Sequence, residues 1–147
     1  MTVKSDDVVA ITENVLKTML DFDVATTDFV AEPDSAEQIS SFVQISGAWE
    51  GTVIVESSLG LARDIAGGMF GISTNSVSED DLQDALAEIT NMVGGNIKGL
   101  VNSPSFLSIP CIAKESTLAG PGQPKVVFQQ SFVCRDELLR ITLCQQD

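Results

Sequence analysis

The sequence predicts an α+β fold of mixed α/β character, in which helices pack on a largely antiparallel sheet. Segments with the spacing of amphipathic helices are interspersed with pairs of β-branched runs, and each pair is joined by a short turn sequence. Strands joined in this way pair antiparallel, and helices between the hairpins cover the sheet. The chain is 44% hydrophobic and 20% charged over 147 residues, so we expect one globular domain at 1–147.

The first half of the chain predicts two helices and one hairpin. Ser5 can cap the first helix, whose apolar residues recur at helical spacing. In the hairpin, two β-branched runs flank a turn at 47–51 that contains Trp49. Glycines end the second helix, and a polar loop follows it. The predicted elements are a helix at 5–20, a weak strand at 23–30, a hairpin at 38–57 and a short helix at 57–71.

The second half predicts one long helix followed by strands. Ser78 opens the helix with Asp81 three residues later, an approximate capping box, and acidic residues in the first turn suit the helix dipole. The last hairpin turns through Arg135 and Asp136. The predicted elements are a helix at 78–101, a strand at 106–113, a loop at 116–124 and a hairpin of 125–134 with 137–146.

The charge of the chain excludes some classes of partner. Net charge is −13, from 8 basic and 21 acidic residues, so nucleic-acid binding is disfavoured because phosphate contacts need a basic surface. The acidity favours solubility, or attraction to a partner with a positive patch. No run of 18 apolar residues predicts membrane insertion, and the amino terminus turns acidic where a signal peptide is apolar. We expect a cytoplasmic protein.

The residue types present limit the available chemistry. The chain has no histidine, which removes a histidine general base and the usual zinc ligand sets. Cys111, Cys134 and Cys144 are widely spaced in strand-like stretches, so we expect buried, reduced thiols. Any catalysis must therefore depend on carboxylates, amides and lysines, or on a partner.

One side of the long helix is polar and includes a glycine, which leaves a gap between the side chains. At about 100° per residue, Asp84, Glu88, Gly95 and Lys98 fall within about 60° of Asn91. The residues expected on the opposite, core-facing side are Leu82, Leu86, Ile89, Val93 and Leu100. Asn96 falls nearer the apolar side, where a buried, hydrogen-bonded structural amide is expected.

Two interpretations of this polar side remain open. Charges on a helix usually only face solvent, and Lys98 fits that description. Asn91 and the two glycines are harder to explain, because asparagine and glycine both weaken a helix interior. Gly94 and Gly95 leave room either for another molecule to approach or for tight packing inside the domain.

These residues resemble a known signature. The pattern Asp84-x3-Glu88-x2-Asn91, followed by Pro110, is similar to that of the CheC/CheX/FliY phosphatases of bacterial chemotaxis, and CheX is the most similar member. Pro110 follows Asn91 more closely than is common in the family. No second Glu-x2-Asn element occurs, which implies one site per chain, as in CheX. The likeness spans residues 5–145 and includes the segments GAWEGTVIVESS, LARDIAGGMFG, EITNMVGGNIKG and LSIP.

The resemblance implies a function and a partner. Such proteins remove phosphate from the aspartyl phosphate of CheY-like receiver domains. It implies that Glu88 pairs with a receiver lysine and that Asn91 positions the attacking water. Asp84, Gly94, Gly95 and Lys98 would contact the partner. The receiver supplies Mg²⁺, so this chain would bind no cofactor itself. The resemblance also implies a homodimer.

Two other functions are compatible with the same residues. The chain could be a binding module that recognises receiver domains or flagellar-switch partners without hydrolysis, or it could be a structural scaffold. A P-loop phosphate site is excluded, because no G-x4-G-K-[ST] sequence is present.

Overall fold

The computed structural model describes residues 3–28, 38–101, 104–113 and 125–145, and these contain three α-helices and seven strands. A short 3₁₀ turn at Thr74–Ser76 joins the second helix to the third. In chain order the elements are α1 (Ser5–Leu20), β1 (Val24–Thr27), β2 (Gln38–Gly47), β3 (Gly51–Ser58), α2 (Leu59–Phe70), α3 (Glu79–Lys98), β4 (Ser105–Leu107), β5 (Cys111–Ala113), β6 (Lys125–Cys134) and β7 (Glu137–Gln145).

The described strands form one sheet in the order β1-β6-β7-β3-β2-β4. Strand β5 also pairs with β2, on the same edge as β4. Every pairing is antiparallel. The predicted α+β fold with a largely antiparallel sheet is therefore confirmed.

The helices cover one face of this sheet. Alternate residues of the central strands point toward them, as the period of two in a strand requires. These strand residues are buried together with apolar residues from all three helices in one continuous core. The strand residues of this core are Val43, Ile45, Val53, Val55, Phe132, Cys134, Leu139, Ile141 and Leu143.

The predicted strand at 106–113 is wrong as a single element, because a kink divides it into β4 and β5. Ser108 forms both hydrogen bonds to β2 at this point: its backbone N–H donates to the carbonyl of Gln44, and its Oγ accepts from the N–H of Gln44, each at 2.9 Å. Pro110 has no N–H with which to continue the ladder. The predicted loop at 116–124 and the end of the predicted strand at 23–30 lie outside the described residues.

The helix ends follow from local hydrogen bonds. Ser78 and Asp81 form the predicted capping box, with the Asp81 N–H donating to Ser78 Oγ at 3.1 Å and the Ser78 N–H to Asp81 Oδ2 at 3.0 Å. For α1 the predicted cap is off by one residue, because Lys4 is the N-cap and its N–H donates to Asp7 Oδ2 at 3.3 Å. No described helix is both long and apolar enough to span a membrane.

The cysteines only partly follow the prediction of buried thiols. Cys134 and Cys144 are buried and free, and burial raises the pKa of both thiols, that of Cys134 to about 11. Cys111 is free but exposed. It pairs with Phe42 at the edge of the sheet, in the register that turns it away from the helices.

Candidate functional site

The long helix α3 has one buried side and one polar side. Ile89 and Val93 on its inner side are both 0% exposed and belong to the core. Asp84 and Glu88 on the outer side are exposed, and Asn91 is half-buried. We call the outer residues Asp84, Glu88, Asn91, Gly95 and Lys98 the polar stripe of α3.

Two asparagines on α3 differ in what their amides do. Asn96 donates from Nδ2 to the carbonyl of Met92 at 2.8 Å. Its side chain is exposed, which corrects the expected burial, although the expected hydrogen bond is present. The side-chain amide of Asn91 forms no hydrogen bond to any other described residue. Within the described part of the chain, the amide of Asn91 is therefore unengaged, whereas that of Asn96 is bonded to Met92.

The charged groups of the polar stripe also lack partners among the described residues. Asp84, Glu88 and Lys98 form no ion pair or side-chain hydrogen bond within the part of the chain that the structure describes. The ion pairs that do occur there lie elsewhere, and they are Lys17 with Asp21 and Asp23, Arg135 with Asp64, and Arg140 with Glu56.

The two glycines of α3 have different surroundings. Gly94 is buried, and a Cβ atom built on it would collide with Val43 Cγ2. Its interpretation as a partner contact is therefore corrected, because Gly94 allows α3 to pack closely on β2. Gly95 is half-buried, and a Cβ there would be 3.8 Å from Leu107 Cδ2, an ordinary contact. The interior thus requires glycine at 94 but not at 95.

Strand β4 lies beside the site, which the sequence did not predict. Leu107 approaches the positions of both glycines and pairs with Ile45 of β2. No local signal could reveal this neighbour, because the connection from α3 to β4 sets no direction by itself. Pro110, the proline of the signature, is half-buried in the kink between β4 and β5.

The side chains of the polar stripe can form ion pairs and hydrogen bonds with another molecule. Glu88 and Asn91 are three residues apart on a helix, so their side chains lie next to each other on one side. A carboxylate offers a charge to a cation, and a neutral amide can both accept and donate a hydrogen bond. Among the described residues, no group of three or more His, Cys, Asp or Glu side chains could hold a metal ion.

Solved structures share this fold. The chemotaxis protein CheX from Vibrio vulnificus is 24% identical, with a TM-score of 0.76 over 95% of this chain and 94% of that chain. CheX from Desulfovibrio desulfuricans is 19% identical, with a TM-score of 0.74 over 97% and 98% of the two chains. A chain of the CheX–CheY–BeF₃–Mg²⁺ complex from Borrelia burgdorferi is 12% identical, with a TM-score of 0.70 over 97% of each chain.

The sequence gives an independent comparison. No curated protein sequence matches the chain significantly. The model of the family described as chemotaxis phosphatase CheX matches residues 39–130, which is more than half of the chain and includes the whole polar stripe. The chain therefore belongs to the CheX family of chemotaxis phosphatases.

Proposed function

We propose that this protein hydrolyses the aspartyl phosphate of a CheY-like receiver domain, with Glu88 and Asn91 inserted into the receiver's active site. The observation that carries the proposal is the pair of unengaged polar groups on one side of α3. Glu88 is exposed, and the amide of Asn91 makes no hydrogen bond to another described residue. The Borrelia complex, in which a CheX accompanies CheY with BeF₃ and Mg²⁺, supports a receiver as partner.

Asn91 would orient the attacking water. Its amide oxygen accepts one water hydrogen while its NH₂ group donates to a phosphoryl oxygen. Phosphoryl transfer passes through a loose transition state, in which positioning and electrostatics matter more than covalent chemistry. A bond forms between the water oxygen and phosphorus, and the bond from phosphorus to the aspartyl oxygen breaks. The receiver aspartate leaves as a carboxylate, and inorganic phosphate is released. No histidine is required.

Glu88 would hold the receiver in place by pairing with its active-site lysine. The carboxylate has no competing cation among the described residues. The Mg²⁺ that neutralises the phosphoryl oxygens would be bound by the receiver rather than by this chain. The family resemblance further suggests a cytoplasmic homodimer. Analytical ultracentrifugation would test the dimer by measuring the mass of the protein in solution.

A single-turnover assay tests this proposal. CheY-like receiver domains are phosphorylated on aspartate, the protein is added at saturating concentration, and loss of acid-labile phosphate is followed. We expect faster dephosphorylation with the wild-type protein. Glu88→Ala should weaken binding as well as turnover, and more strongly at low ionic strength, where screening is weakest.

The same assay separates an enzyme from a binding module. A module would bind a receiver carrying beryllofluoride and Mg²⁺, yet leave the receiver's own dephosphorylation rate unchanged at saturation. Binding without any acceleration, across a panel of receivers, would overturn the proposed reaction.

A further inference from the structure

We propose that the polar stripe fixes the direction in which the receiver docks, because its charges are ordered along the helix. Asp84 and Glu88 would face basic groups of the receiver. Lys98 would face acidic groups of the receiver. This inference rests on the proposed function and adds to it the arrangement of charge that the partner must present.

The charges are segregated at the two ends of the stripe. Asp84 and Lys98 are fourteen residues apart, or about 21 Å along the helix axis at 1.5 Å per residue. That separation exceeds the Debye length of about 8 Å at physiological ionic strength, so each end attracts its own partner group. Asn91 and Gly95, between the two ends, are uncharged.

Interactions within the described part of the chain do not account for the two carboxylates at the acidic end of the polar stripe. Asp84 and Glu88 are four residues apart, and like charges at that spacing repel in a helix. Both lie beyond the first turn, where Glu79, Asp80 and Asp81 already benefit from the helix dipole. Neither carboxylate has an ion-pair partner among the described residues. A basic surface on the receiver would relieve this repulsion.

The charge of Lys98 is opposite in sign to the net charge of the chain. It is the one basic residue of α3, in a chain of net charge −13 that repels an anionic phosphoaspartate. Its position in the last turn suits the helix dipole, but the dipole does not determine which side of the helix it occupies. Lys98 lies seven residues, or nearly two full turns, after Asn91, so it shares the side of the proposed water-positioning amide.

The test is an exchange of charge that leaves net charge unchanged. Asp84→Lys combined with Lys98→Asp reverses the order of charge. The matched control combines Glu13→Lys with Arg63→Glu, because both residues are exposed on other helices and form no ion pair among the described residues. Association with the beryllofluoride–Mg²⁺ form of the receiver is measured by stopped flow from low to high salt.

We expect the stripe exchange to slow association about tenfold or more at low ionic strength, and high salt should remove most of the difference. The control should associate like the wild type. If the wild type shows turnover but the stripe exchange and the wild type associate at equal rates at low salt, the ordered-charge proposal is overturned. Absence of wild-type turnover would instead contradict the proposed function.

The single neutral variants Asp84→Asn and Lys98→Gln keep the test decisive if the exchange prevents folding. Each should slow association several-fold at low salt and flatten its salt dependence, with little effect on the dissociation rate. A loss that is equal at all salt concentrations would contradict electrostatic orientation.

Discussion

Gly94 of α3 lies directly against the Cγ2 methyl group of Val43 of β2, with no space for a side chain between them. Val43 is 0% exposed, and its β-branched side chain has little rotamer freedom with which to move aside. This contact sets the distance between the helix that carries the polar stripe and the sheet beneath it. The adjacent Gly95 has no such constraint.

Gly94→Ala should destabilise the protein even though alanine favours a helix. The collision with Val43 is an overpacking defect, which typically costs about 1–3 kcal/mol, and it outweighs a helix-propensity gain of at most about 1 kcal/mol. Urea denaturation of Gly94→Ala and Gly95→Ala compares the same substitution in the two environments. Gly95→Ala should be neutral or stabilising.

Val43→Ala in the Gly94→Ala background should restore part of the lost stability, because it removes the colliding methyl group. Additive effects of the two substitutions would show that the contact is not the cause of the destabilisation.

Gly95→Leu should leave the protein folded but weaken its binding to the receiver. The position is half-buried beside Leu107 with room for a Cβ atom, and leucine favours a helix. A bulky residue in the middle of the polar stripe would obstruct a partner. Thermal unfolding measures the first effect, and titration with the beryllofluoride form of the receiver measures the second. Unfolding of the variant with unchanged affinity per folded molecule would assign Gly95 to internal packing.

Asn91→Ala should lower kcat and kcat/KM together by about 100-fold, the usual loss when one preorganised polar group is removed from a site. Affinity for the receiver should change little. Asn96→Ala is the matched control, because its amide lies on the same helix but is bonded to the carbonyl of Met92. Undiminished acceleration by Asn91→Ala would refute the water-positioning role even if the protein is a phosphatase.

Arg135→Ala should destabilise the turn between β6 and β7. Arg135 and Asp136 have φ values of 53° and 64°, a left-handed conformation that is unfavourable for residues other than glycine. Arg135 Nε is 3.3 Å from Asp64 Oδ2, and its guanidinium lies 4.7 Å from the ring centroid of Phe22. We expect a loss of about 1–2 kcal/mol. Arg63→Ala, an exposed control without an ion pair in the described chain, should cost much less.

The free energy of unfolding should fall as pH rises from about 9 to about 11. Burial raises the pKa of Cys134 from 9.0 to about 11, so the unfolded chain loses this proton first. The protonated Cys134 thiol contributes its full stabilisation at pH values below its pKa in the unfolded chain. This contribution is lost as the pH rises toward its pKa in the folded protein. Cys134→Ala should have lower stability at neutral pH but a smaller alkaline decline. An identical decline in both proteins would contradict this cause.

The sequence by itself determined the features that depend on near neighbours. The period of α3 predicted which side faces the core, and Ser78 with Asp81 predicted where the helix begins. Paired β-branched runs predicted both hairpins, including the turn at Arg135 and Asp136. These signals act over a few residues, so a local pattern contains all the information that they require.

Only the tertiary structure decided how equivalent residues differ in role. Two adjacent glycines look alike in the sequence, but Val43, some fifty residues earlier, makes glycine necessary at 94 and optional at 95. Cys111 is exposed because its strand lies at an edge, and Ser108 divides β4 from β5 through its bonds to Gln44. Packing between distant segments sets burial and steric clearance, and local periodicity does not encode which segments meet.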